Sequence, residues 1–189
     1  MDNKLRIINH LGKHPGRFFT MRELSKAVSV PYATFYRTLQ GMAELVHINT
    51  VGKSKTVCLK MENPALKSYL VISSEEEKKE FLARQPVISK IAAELETDDV
   101  VVLFGSYAKG SERKDSDIDL MVINKNGERS LSFSRYELLF KKKISPIFVT
   151  KTEFRKMLKE KEENVGKQAL ENNIILNNPE RFWESVLHG

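Results

Sequence analysis

The chain has one cysteine, Cys58, so neither an intrachain disulfide nor a cysteine-based zinc cluster can be built within it. That scarcity fits a reducing compartment. No apolar run approaches the roughly 18 to 20 residues a helix needs to cross a bilayer. Met1-Asp2-Asn3-Lys4 leads straight into an amphipathic pattern without the apolar core of a signal peptide. A cytoplasmic protein with no membrane partner is expected. Internal repeats and low-complexity tracts are lacking, and the histidines at 10, 14, 47 and 188 have neither metal-ligand spacing nor a catalytic partner. Histidine-centred metal or nucleophile chemistry is thereby set aside. Acids are scarce in one region only: residues 1 to 60 hold 3 (Asp2, Glu23, Glu44) against 10 Lys and Arg, a net of +7 within a chain of net +6. The remainder nets −1, so the first third is the electrostatic candidate for nucleic acid.

What is present points to packed cores. Apolar residues make up 41% and charged residues 30% of 189, a globular composition with room for two small domains. In the first third, Leu5, Ile8 and Leu11, with Ile7 alongside, recur at helical spacing until His14-Pro15-Gly16 stops them. Thr20 and Glu23 stand at capping-box spacing before the stripe Met21, Leu24, Ala27 and Val28. After the break at Ser29-Val30-Pro31, a third helix is expected to carry Phe35, Leu39, Met42 and Leu45 or Val46 inward. Its outer face would show Tyr32, Thr34, Tyr36, Arg37 and Thr38. His47–Val51 and Thr56–Leu59 then read as short strands around the basic turn Gly52-Lys53-Ser54-Lys55.

This order resembles the winged helix-turn-helix of prokaryotic transcription regulators, with Ala33–Leu39 similar to the start of their recognition helices. The resemblance implies double-stranded DNA as a partner, contacted by Tyr32, Thr34, Tyr36, Arg37, Lys53 and Lys55, and it brings in a homodimer, since such regulators commonly pair. One departure is visible: relatives usually carry Gly where Val46 stands, and Val is poor at positive φ. Either the helix ends differently here or the wing angle has changed.

Residues 62–97 read as two helices separated near Gln85-Pro86. The first would link the domains. The second, with Ile88, Ile91, Ala92 and Leu95 on one face, would pack against the next sheet. The run Glu75–Glu80 is most simply a solvated helix face.

Val100–Phe104 is a β-branched apolar run with the pattern of a strand buried on both faces, and it ends abruptly in Gly105-Ser106. Asp117-Ile118-Asp119-Leu120-Met121-Val122-Ile123 reads as a second strand. Residues i and i+2 of a strand share a face, about 6 to 7 Å apart, so the aspartates can converge on one cation. Magnesium suits them, because it takes one or two carboxylates together with phosphate oxygens and water. Phe104–Gly110 with Asp115–Leu120 is similar to the signature of the DNA polymerase beta nucleotidyltransferase superfamily, nearest its minimal prokaryotic members. That resemblance implies transfer of a nucleoside monophosphate from a nucleoside triphosphate. Gly105 and Ser106 would bind the triphosphate, with Lys109, Arg113 and Lys114 in the intervening loop as further phosphate contacts. Asp117 and Asp119 would be the catalytic, metal-binding pair for Mg2+ or Mn2+.

Active relatives carry a third carboxylate on a later strand. Here that strand is Ile144–Thr150, and it contains no acid; Glu137 and Glu153 are the nearest in sequence. From Thr152 to His188 two or three helices are expected, with Phe154, Met157 and Leu158 as one stripe, and Ile174, Ile175, Leu176, Phe182 and Trp183 as core or dimer contacts.

The expected chain is α+β: a winged helix-turn-helix domain (1–61), a helical linker and packing helix (62–97), and a nucleotidyltransferase-type mixed sheet flanked by helices (98–189). Three roles follow from it. One is a magnesium-dependent transferase, acting on nucleic acid or a protein acceptor and carrying a DNA-binding module. Another is a DNA-binding transcription regulator whose weakened transferase domain senses a nucleotide such as ATP. The third, implied by resemblance only, is an antitoxin-like protein that nucleotidylates a helical ribonuclease partner.

Overall fold

A computed structural model of the chain describes residues 1–52 and 54–187. Lys53, one of the expected DNA contacts, lies outside the described residues, as does His188. The chain divides into two compact units, Met1–Glu76 and Glu77–Gly189.

The first unit opens with α1 (Asn3–Gly12), capped by Asp2, whose carboxylate accepts the Leu5 N–H at 2.8 Å. Ile7, Ile8 and Leu11 are its buried stripe. The short strand β1 (Phe19–Thr20) leads into α2 (Met21–Ala27). Thr20 and Glu23 form the reciprocal capping box read from their spacing: the Glu23 N–H donates to Thr20 Oγ1 at 3.1 Å, and the Thr20 N–H to Glu23 Oε2 at 3.4 Å. Ser29 turns the chain with φ +54°, Pro31 caps α3 (Tyr32–Gln40), and Phe35 and Leu39 are buried.

The third helix is shorter than its apolar pattern suggests. It ends at Gly41, and Met42, Leu45 and Val46 reach the core from a turn and from the start of β2 (Val46–Val51). Val46 is not among the residues at positive φ, so the helix ends in another way and needs no glycine there. β2 pairs antiparallel with β3 (Ser54–Leu59), and β1 adds to the far side of β3, giving a three-stranded sheet in the order β1-β3-β2. The unit boundary falls within α4 (Leu66–Leu82), whose Leu66 and Leu70 are buried and whose Tyr69 hydroxyl accepts Lys4 Nζ at 3.1 Å.

In the second unit, α5 (Pro86–Ala93) starts with proline in its first turn, where the missing N–H costs nothing, and sinks Ile88 and Ile91 into the core. There follow β4 (Val100–Phe104), α6 (Gly105–Lys109), β5 (Ile118–Asn124), α7 (Ser134–Phe140) and β6 (Ile144–Thr150). The chain then runs through α8 (Lys151–Lys159), α9 (Val165–Glu171), β7 (Ile174–Asn177) and α10 (Pro179–Leu187). The four strands form a mixed sheet in the order β6-β5-β4-β7; β4 is antiparallel to β5 and β7, while β5 and β6 run parallel.

Every residue of β4 is buried, as its unbroken apolar run requires. Val101 and Leu103 join Leu120, Val122, Ile88, Ile91 and Phe133 in one cluster. Phe154, Phe182 and Trp183 form a second, with ring centroids 5.7 Å apart for Phe154–Phe182 and 5.2 Å apart, edge to face, for Phe182–Trp183.

The tail differs from the all-helical expectation. Ile174–Leu176 belongs to a strand, not a helix, and pairs with β4. Asn177 Nδ2 donates to the carbonyls of Thr97 (2.9 Å) and Asp99 (2.8 Å), and Arg181 Nη1 to that of Asp98 (3.0 Å), which ties the tail to the entrance of β4. Among the described residues no helix is long and apolar enough to cross a membrane.

Candidate functional site

In the second unit, β4 and β5 lie antiparallel with Phe104 opposite Asp119, so the turn that follows Phe104 passes directly over the Asp119 side chain. The approach is close enough to exclude any side chain at Gly105: a Cβ there would lie 2.2 Å from Asp119 Oδ2 and 3.0 Å from its Cγ. Gly105 also has φ +70°, a conformation that only glycine adopts without strain. Ser106, half-buried, is the next residue of α6, which closes at Gly110 in the left-handed conformation. Gly105, Ser106 and Asp119 are therefore one local structure.

Asp117 sits one residue before β5, and its register neighbours come from β6. The Ile118 N–H donates to the Lys143 carbonyl at 2.9 Å, and Asp119 pairs with Ser145. This seam places Lys143 and Ser145 beside the aspartates. Lys143 Nζ forms an ion pair with Asp117 Oδ2, and Ser145 Oγ donates to the same oxygen at 3.3 Å.

The carboxylates therefore have opposite environments. The ammonium of Lys143 holds the Asp117 carboxyl below its ordinary range, against a smaller contrary effect of partial burial. Asp119 is pushed up, first by burial and then by the Asp117 charge, with Lys143 partly offsetting both. It has no hydrogen-bond partner among the described residues.

The other sequence-level candidates fall elsewhere. Lys109 and Lys114 are exposed, and the charges that act on the aspartates are their own and that of Lys143. The Lys114 carbonyl accepts Lys142 Nζ, which lies 5.8 Å from the centroid of the Tyr107 ring. Glu137 uses its carboxylate on the Ile144 N–H at 2.9 Å, which anchors the start of β6. Glu153 is the capping-box residue of α8 and belongs to the far end of β6 from Asp119. Among the described residues no three of His, Cys, Asp and Glu converge as a metal cluster. Sequence reading missed Lys143; the only signal was the Lys141-Lys142-Lys143 run just before β6.

In the first unit, the start of α2, the start of α3 and the β2–β3 hairpin enclose a cleft of about 510 Å³ lined by Arg22, Tyr32, Tyr36, Ser54 and Lys55 among others. Tyr32 and Tyr36 stack at 6.5 Å between centroids, and Lys55 Nζ lies 5.9 Å over the Tyr36 ring. Arg37 is exposed and folds back to the Ala33 carbonyl at 3.4 Å; Thr34 is half-buried. Of the expected contact residues, Tyr32, Tyr36 and Lys55 thus share one cleft, which Arg22 joins although its position carried no motif.

Residues 86–176 match the family model described as Nucleotidyltransferase domain, a span just under half of the chain. Gly105, Ser106, Asp117, Asp119 and Lys143 all fall inside it. That span is thus similar to a nucleotidyltransferase domain, and the mixed sheet with flanking helices is consistent with that type. No curated protein and no solved structure matches the chain.

Proposed function

We propose that the second unit transfers a nucleotidyl group from a nucleoside triphosphate to an acceptor, and that the first unit is a winged helix that binds double-stranded DNA. The observation that carries the transferase reading is the fit of Gly105 against Asp119. The lack of a Cβ at this point lets the glycine turn, whose peptide groups can meet a phosphate, lie directly against a carboxylate that has no hydrogen-bond partner among the described residues. In the reaction the acceptor oxygen bonds to the α-phosphorus, the bond from that phosphorus to pyrophosphate breaks, and the acceptor proton passes to a carboxylate or to water.

The donor set suits a hard divalent cation, magnesium or manganese. Asp119 offers a half-buried carboxylate, unshared among the described residues, with Asp117 beside it, and the remaining ligands would be phosphate oxygens and water. When bound, that cation neutralises charge on the triphosphate. Ser106 supplies a hydroxyl toward the phosphates, and Gly105, lacking a Cβ, lets Asp119 keep its present direction. Incubation with Mg2+ and each labelled nucleoside triphosphate, alone and with cell extract, should move label onto a macromolecule. Asp119→Asn should reduce that transfer at least a hundredfold. Transfer that survives the substitution sinks the assignment.

DNA binding is supported by the net +7 of residues 1 to 60, by the helix-strand-helix-helix-hairpin order and by the basic, aromatic cleft. Arg37→Ala combined with Lys55→Ala should weaken binding to duplex DNA about tenfold and make the salt dependence shallower by about two phosphate contacts. Binding that is insensitive to salt, or unchanged in the double variant, removes this half of the proposal. The regulator reading, in which the domain holds nucleotide without efficient transfer, is favoured by one observation: β6 and the residue just before it bring a serine and a lysine to the aspartates, and no acid. Nucleotide binding by calorimetry with no transfer of label would select it.

A further inference from the structure

The aspartates, nominally a pair, are used unequally. On Asp117 a single oxygen, Oδ2, receives Lys143 Nζ and Ser145 Oγ together. Asp119 receives nothing among the described residues. Lys143 is held there by the backbone, since its carbonyl accepts the Ile118 N–H that starts the β5–β6 seam. Its ammonium is therefore tethered at the aspartates. A divalent ion seeking Asp117 must displace a cation that never diffuses away, whereas one seeking Asp119 meets no competitor. The other groups facing Lys143 do not release it: Glu137 is engaged with the Ile144 N–H, and Lys142 points to the Lys114 carbonyl.

We propose that the Lys143 ammonium is the built-in second cation of this centre, so that a triphosphate enters with one divalent ion, on Asp119. The inference rests on the transferase reading of these residues. It also gives Lys143 a direct task. With one charge on Asp117 and donors to spare, an ammonium at this place can meet phosphate oxygens of the incoming triphosphate.

The test is the stoichiometry of protein-bound Mn2+, read by electron paramagnetic resonance after equilibrium dialysis, with ATP, GTP, CTP and UTP in turn. The wild-type chain should bind one Mn2+ with the triphosphate it accepts. Lys143→Met, which frees Asp117, and Lys143→Glu, which adds a carboxylate, should raise this to two, whereas Lys143→Arg should keep one. The Lys143 side chain is 71% exposed, so these variants should fold, as circular dichroism would verify. Two Mn2+ in the wild-type chain, or one in Lys143→Met and Lys143→Glu alike, overturns the proposal and leaves the transferase reading standing. Absence of Mn2+ and triphosphate binding in every variant, wild type included, overturns the transferase reading and the proposal with it.

Discussion

Gly105→Ala is expected to abolish the proposed nucleotidyl transfer while leaving any DNA affinity of the first unit at its wild-type value. Two costs combine. An alanine at φ +70° carries about 1 to 2 kcal/mol of left-handed strain, and its Cβ would stand 2.2 Å from Asp119 Oδ2. The contact cannot be relieved by moving the strand, because Asp119 is held opposite Phe104 in β5 and beside Ser145 of β6. What gives way is the carboxylate itself, which must swing off its present direction. A displacement of about 1 Å at reacting groups is worth about a hundredfold in rate, and here the displaced group is the carboxylate proposed to hold the cation. Single-turnover transfer with the variant, next to Asp119→Asn, checks this. A rate within threefold of wild type would mean that Asp119 is not where the chemistry happens. Denaturant unfolding should show a loss of about 1 to 3 kcal/mol, small enough to leave the domain folded.

Trp183→Ala should have the largest effect on stability. The indole is fully buried, edge to face with Phe182, which in turn packs on Phe154. Truncation of such a side chain costs about 3 to 5 kcal/mol, comparable to the whole stability of a small domain. Urea unfolding followed by far-ultraviolet circular dichroism is the appropriate measurement, since Trp183 is the only tryptophan and its loss removes the fluorescent probe. Nucleotide binding should fail with the fold. A shift below 1 kcal/mol would show that the α8–α10 layer is not needed to hold the sheet.

What could be read from the chain depended on whether the cause was local. The capping box of Thr20 and Glu23 lies within one turn of helix, and the burial of Val100–Phe104 follows from an unbroken apolar run; both are local, and both are in the structure. The length of α3 was not legible, because Met42 and Leu45 keep helical spacing after Gly41 has ended the helix, and burial from a turn leaves the same apolar mark. Ile174-Ile175-Leu176 illustrates the same ambiguity: a short, fully apolar stretch suits a buried helix or a buried strand, and its pairing with β4 decides the matter from more than seventy residues away. At the candidate site, Asp117, Asp119 and Gly105 were visible as a spaced motif. The difference between the aspartates was not, since it comes from Lys143 and the β5–β6 register, which no local pattern encodes.

The place of β7 has a consequence for how the protein is made. The strand that leads into Gly105 is complete early in synthesis, yet one of its two flanking partners is Ile174–Asn177, close to the end of the described chain. Until that segment leaves the ribosome, β4 exposes a row of unpaired peptide groups along an apolar strand, a surface prone to association with other chains. The glycine turn and its carboxylate are thus among the first parts of the domain to be synthesised and among the last to be secured by strand pairing.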